Sequence, residues 1–147
     1  MSTPPFRLWP LALLPACSTP APDLASLRGS AEATLDDFHL AASQADASRY
    51  FGHYTANAVF LGTDASERWS VKELQAYAKP HFDAGKGWTY RATERHVFVA
   101  DGGDIAWFDE RLSHERYGEV RGSGVLVRDE VWRVAQYNLS FPVPNGI

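Results

Sequence analysis

The sequence predicts an α+β fold in which helices come first and an antiparallel sheet follows. Three observations carry this. Apolar residues recur at three- and four-residue steps in the first half of the chain, polarity alternates residue by residue from Trp88 to Phe141, and Gly- and Asp-rich turn signals separate the alternating runs. Helical segments followed by strand segments, without βαβ alternation, argue for layers of helix on sheet. At 147 residues the chain fits one domain of ordinary size.

The elements follow in order. Leu24, Leu27, Ala31, Leu35, Phe38 and Ala42 trace one face of a helix running from about Leu24 to Ala45, with Gly29 and Ser30 weakening its first turns. Asp46 caps a second, short helix carrying Tyr50, Phe51 and Tyr54, and Asn57 marks a turn before the strand Ala58–Leu61. Ser70 followed by Glu73 makes a capping box, so a third helix runs from Val71 to about Phe82 before Gly85 and Gly87 break the chain. Four strands are then expected, Trp88–Ala100, Ile105–His114, Val120–Val127 and Val131–Phe141, joined by the turns Asp101–Asp104, Tyr117–Glu119 and Arg128–Glu130.

Ahead of the helices the sequence changes character. Arg7, the apolar run Leu8–Ala16 and then Cys17 have the order of a signal peptide, and Leu14-Pro15-Ala16-Cys17 resembles a bacterial lipobox, whose cysteine would carry the lipid. Residues 1–17 are thus expected to be a leader, 18–29 a linker and frayed helix start, and 30–147 the folded domain. The expected location is the cell envelope, with a cytoplasmic protein as the alternative, and membrane contact is expected only through the lipid at Cys17. No other segment approaches the ~18 apolar residues of a spanning helix.

Composition excludes several classes. A net charge of −4 with no basic patch argues against a nucleic-acid partner. One cysteine permits no internal disulfide, and His39, His53, His81, His96 and His114 are too dispersed for a recognisable metal site. No glycine-rich phosphate loop follows a strand, and Gly122-Ser123-Gly124 lies within one, where it permits curvature better than it serves a nucleophile elbow. No cofactor or metal is expected. Five Trp, six Tyr and eight Phe suit a thick core or an apolar pocket lining.

Hairpin closure then assigns faces, because side chains alternate across a strand. A tight Asp101–Asp104 turn sets Phe98 against Trp107, His96 against Asp109 and Glu94 against Arg111; closing the last hairpin between Val127 and Trp132 sets Val125 against Val134, Ser123 against Gln136 and Arg121 against Asn138. Thr89, Arg91, Thr93, Arg95 and Arg133 mark the other face, with Phe108, Glu110, Ala135 and Tyr137, as the outer one. His96, Trp107, Asp109, Arg121, Trp132, Gln136 and Asn138 are accordingly expected to face inward.

The order and spacing of Leu35-Asp-Asp-Phe-His39, Ala58–Asp64 with Glu67-Arg-Trp69, Gly87-Trp-Thr-Tyr90, Glu94-Arg-His-Val97, Ala106–Glu110, Arg121–Val125 and Trp132–Ser140 resemble the SnoaL-like proteins of the nuclear transport factor 2-like superfamily. That resemblance implies a cone-shaped barrel of curved antiparallel sheet on three helices, with a pocket between the layers and often a homodimer through the sheet's outer face. It implies no single function, since the superfamily includes isomerases, dehydratases and cyclases as well as modules without chemistry. Many SnoaL-like proteins carry histidines in the closing strand where this one has Gln136 and Asn138.

The candidate site follows from these faces. His96 and Asp109 form either an acid–base pair or a purely structural cross-strand contact. Arg121, Gln136 and Asn138 offer a polar end for a ligand, Trp88 and Trp107 apolar walls, and Asp64, Arg68 and Trp69 a lid over the pocket, although the same three residues also suit local turn chemistry. Three readings remain open: a small-molecule-binding protein for an apolar or aromatic ligand, an isomerase-, dehydratase- or cyclase-type enzyme using His96 and Asp109, and a dimeric interaction module whose contact face holds Phe108, Ala135 and Tyr137.

Overall fold

The computed structural model of the protein describes residues 20–146, so the leader, the lipobox-like run and Cys17 lie outside the described residues. The first helix, α1 (Leu24–Ser43), begins where the Asp23 carboxylate accepts the N–H groups of Ala25 and Ser26. It runs unbroken through Gly29 and Ser30, so the frayed start is not observed. The Ser30 hydroxyl instead receives the indole N–H of Trp132, tying the first turns to the sheet. Ala45, at φ 53°, reverses the chain into the short helix α2 (Ala47–Gly52), which Asp46 caps through the N–H of Arg49.

Strands β1 (Tyr54–Leu61) and β2 (Arg68–Ser70) precede helix α3 (Val71–Asp83), whose capping box is present in both halves. The short strand β2 falls in a stretch that the sequence does not mark as strand. It exists because Phe60 and Trp69 pair across β1 and β2, which brings two large rings to the same face. Then come β3 (Arg91–Val99), β4 (Ile105–His114), β5 (Gly118–Arg128) and β6 (Trp132–Ser140).

The fold is α+β, with three helices on a six-stranded sheet of order β2-β1-β6-β5-β4-β3. The antiparallel expectation holds for β3 to β6, but β1 joins β6 in parallel, so the sheet is mixed, and it is open, with β2 and β3 as its edges.

The β3–β4 register is the expected one, His96 opposite Asp109 and Phe98 opposite Trp107. The facing is the reverse. On β4, Ala106, Phe108, Glu110 and Leu112 are buried while Ile105, Trp107, Asp109 and Arg111 are exposed. Burying Phe108 and Leu112 removes about 1.5–3 kcal/mol worth of apolar surface each from water, and this outweighs the cost of taking Arg95 and Glu110 inside because those two charges pair there.

The last hairpin differs in register as well. Arg128 lies opposite Trp132 and Leu126 opposite Val134, and an irregularity at Ala135 then sets Val125 opposite Gln136, Ser123 opposite Asn138 and Arg121 opposite Ser140. The extra residue flips the strand's phase. Trp132 and Val134 therefore face inward as expected, but beyond the bulge the buried residues are Tyr137 and Leu139, while Gln136 is exposed.

Candidate functional site

One inner row of the sheet runs Val97, Phe108, Gly124, Tyr137, Phe60, Trp69 from β3 to β2. The row beside it runs Arg95, Glu110, Gly122, Leu139. Glycine at 122 is what lets these two rows meet: a Cβ there would stand 2.3 Å from the Tyr137 hydroxyl and 2.9 Å from Glu110.

Glu110, only 1% exposed, is the hub of a buried polar cluster. Its Oε1 accepts from His39 Nε2 at 2.7 Å and from the Tyr137 hydroxyl at 2.8 Å, and its Oε2 from Arg95 Nε at 2.7 Å. Arg95 reaches on to Asp36 at 2.7 Å and to the Glu32 carbonyl, so three residues of helix α1 and one from each of β3, β4 and β6 make up the group. Burial alone would raise the Glu110 carboxyl, but His39 and Arg95 outweigh it and hold the group below its ordinary range. Burial, and then the neighbouring carboxylate, push the Tyr137 hydroxyl well above its usual value, so it stays protonated and donates. From the sequence His39 is weighed only among the dispersed histidines, neither Glu32 nor Asp36 is singled out as a site residue, and Arg95, Glu110 and Tyr137 are expected on the outer face. Their partners sit on a helix some 60 to 70 positions away, which no strand pattern reveals.

Tyr137 in turn backs the main cavity. Its ring stacks on Phe60 at 4° between planes, and Phe60 stacks on Trp69. These walls, with Leu74, Tyr77 and His81 along one face of α3, enclose about 530 Å³ at the mouth between sheet and helices. Trp88 and Tyr90, before β3, form the next wall; Trp88 packs edge-on against Tyr50 and at a tilt against Phe82. His114, Arg116 and Tyr117 of the β4–β5 hairpin, with Phe141, complete it. A second hollow of about 510 Å³ between α2 and α3 is floored by Phe51 and Phe82 but otherwise lined by small and charged groups such as Ala47, Ser48, Lys79 and Asp83. The mouth cavity is the one with aromatic walls and several converging polar groups.

The sequence candidates divide accordingly. Trp69 and Trp88 line the cavity. Asp64 does not: its carboxylate accepts the N–H and hydroxyl of Ser66, which hold its pKa down, and so fixes the β1–β2 turn. Arg68 is exposed. His96 and Asp109 lie on the outer face, 3.4 Å apart and with side chains 52% and 57% exposed, at a small surface hollow of about 180 Å³ shared with Glu94, Arg111 and Arg121, and not between sheet and helices as expected. A surface contact of that length contributes about 0–1 kcal/mol. Trp107 stacks on Phe98 on the same outer face, Arg121 is exposed there, and Gln136 and Asn138 fall in its rows. Phe108 and Tyr137, expected on a contact surface, are core. Missed from the sequence were Phe60, Tyr77, Tyr90, His114 and Tyr117; alternation counted on Ala106, Phe108 and Leu112 instead of on the tryptophans would have found His114, which shares their face. Among the described residues no group of three or more His, Cys, Asp or Glu is placed to hold a metal.

The SnoaL-like domain family model matches residues 31–144. The chain belongs to the SnoaL-like family. Its architecture is similar to that of a nuclear transport factor 2-like protein of unknown function from Pseudomonas putida KT2440, at 13% identity and TM-score 0.68, covering 83% of this chain and 91% of that one. A candidate dehydratase of the nuclear transport factor 2-like family from Streptomyces avermitilis matches at 14% identity and TM-score 0.68 over 82% and 99% of the two chains. A protein described as a candidate aromatic ring hydroxylase from Novosphingobium aromaticivorans matches at 16% and 0.66, over 82% and 92%. At these identities the likeness is one of fold. No curated protein sequence matches the chain.

Proposed function

We propose that this SnoaL-like domain binds a small planar apolar or aromatic molecule with one polar end, in the cavity at the sheet–helix mouth. The observation that carries the reading is the aromatic lining: Phe60, Trp69, Tyr77, Trp88, Tyr90 and Tyr117 present ring faces and edges to a space of about 530 Å³, within the range of small-ligand pockets. The polar end is at the β4–β5 hairpin and not at Arg121, Gln136 and Asn138, which lie outside. Turnover is not required by this reading, and the His96–Asp109 pair has no part in it. The experiment is a thermal-shift titration of the purified chain with planar aromatic compounds. A ligand at about 100 times its Kd stabilises by about 2.7 kcal/mol, and Trp69→Ala should remove most of that shift. Failure of every bicyclic aromatic to stabilise the protein contradicts the reading.

The outer face supports a second assignment, as the contact surface of a homodimer. Phe98 and Trp107 stack on each other at 5.8 Å while each remains 49% exposed, and Ile105, beside Trp107 on the same face of β4, is 44% exposed, so apolar side chains are left in water there. Export and lipid attachment at Cys17 complete the proposal; no helix among the described residues is long and apolar enough to cross a membrane, so the acyl chain would be the membrane contact.

A further inference from the structure

Among the polar groups at the cavity, His114 is held in one tautomer. Its Nδ1 accepts the backbone N–H groups of Arg116 at 3.1 Å and Tyr117 at 3.2 Å, which close the β4–β5 turn. A neutral imidazole that accepts at Nδ1 carries its proton on Nε2 and can only donate there. That Nε2 makes no hydrogen bond among the described residues. The ring is also fixed in position, stacked on Tyr117 at 4.6 Å and packed on Tyr90 at 4.9 Å, so the donor costs little ordering on binding. Beside it, the Arg116 guanidinium lies 5.5 Å from the Tyr117 ring centroid and joins none of the ion pairs among the described residues. The cavity's carboxylate, Glu67, stands on the β1–β2 turn and is engaged by the N–H of Asp64. The hairpin wall thus offers donors and positive charge, and it offers them beside aromatic rings.

We propose that His114 and Arg116 form an oxyanion-selecting end of this cavity, which makes the preferred ligand a planar aromatic acid, bearing a carboxylate or phenolate oxygen. This rests on the ligand-pocket reading and names the chemical class for it. The guanidinium supplies the charge and the fixed Nε2–H the direction, a combination suited to one ionised oxygen at the rim of a ring that the tryptophans clasp.

The test compares naphthoate, naphthalenemethanol and naphthylmethylammonium, three probes sharing one bicyclic ring system, by isothermal titration on the full chain. Naphthoate should bind about tenfold tighter than the alcohol and more strongly still relative to the ammonium. His114→Asn keeps an oxygen where Nδ1 accepts the two turn N–H groups but removes the Nε2 donor; Arg116→Gln removes the charge on an exposed turn. Each should weaken naphthoate at least about fivefold while moving the alcohol less than about twofold, with melting temperature unchanged. Equal affinities for the three probes, or variants that weaken all three alike, overturn the oxyanion assignment and leave the pocket standing. If none of the three binds, the pocket reading fails and this inference with it.

Discussion

Glu110→Gln tests the buried cluster most sharply, because the substitution keeps size and removes only charge. In the native protein Glu110 accepts three hydrogen bonds, two from groups that carry or can carry positive charge, and Arg95 loses its buried carboxylate when Glu110 becomes an amide. An amide can accept at one oxygen only, so either Tyr137 and His39 or Arg95 must face an N–H₂ group. Breaking a buried pair by removing one partner costs about 3–5 kcal/mol. Arg95 keeps Asp36, which is itself 73% exposed and a weak substitute, so the loss should fall near 3 kcal/mol, with a fall in melting temperature of roughly 10 °C for a domain of this size. Urea denaturation followed by circular dichroism measures it. The double variant Arg95→Met, Glu110→Leu removes both charges and should recover at least half of the deficit, since a buried pair replaced by apolar groups is close to neutral. A single Glu110→Gln loss below about 1 kcal/mol, or a double variant no better than the single, would refute the idea that this cluster is an interdependent unit.

Three further outcomes follow from the same geometry. Gly122→Ala should cost about 2–3 kcal/mol in urea midpoint analysis, because its methyl would enter the space of the Tyr137 hydroxyl and Glu110, neither of which can swing away; a cost near zero would mean the two inner rows are not closely packed. Asp37, held by Arg49 and His53 at a pKa of about 2, has its folded value below the unfolded one, so its stabilisation is complete above about pH 4 and is lost as pH falls toward 2. Its half-exposed setting discounts that to about 1 kcal/mol; stability measured from pH 6 to pH 2 should therefore fall less steeply for Asp37→Asn, and parallel curves would contradict the shift. Trp107→Glu should convert the proposed dimer to a monomer in sedimentation while leaving the far-ultraviolet circular dichroism unchanged, as expected for an exposed residue, and a wild-type chain that sediments as a monomer would contradict that assignment.

Much of this fold was legible from local chemistry. Asp46, Ser70 and Glu73 announced two helix starts, and the Asp101–Asp104 turn gave the β3–β4 register, because caps and tight turns are decided within a few residues. The facing was not legible by the same means. Arg95 shares a strand face with Val97 and Val99, and arginines ordinarily mark the wet side; Arg95 goes inside only because Asp36 and His39 arrive on α1 and Glu110 on β4 to meet it. The β6 bulge at Ala135 leaves no signature in composition, yet it decides that Tyr137 and Leu139, and not Gln136, enter the core. Trp69 and Trp88 were found as pocket residues because one ends a loop and the other follows Gly87, whereas Trp107, set inward by strand alternation, points outward. Residue type alone did not separate these tryptophans.

The tryptophans also provide the most direct measurement. Indole N–H signals in an amide NMR spectrum of the labelled chain report separately on Trp69 and Trp88 at the cavity, Trp107 on the outer sheet face and Trp132 in the core. On titration with a planar aromatic acid the signals of Trp69 and Trp88 should move together while those of Trp107 and Trp132 stay in place. Movement confined to Trp107, with Trp69 and Trp88 unchanged at saturation, would put the ligand on the opposite side of the sheet and contradict the account.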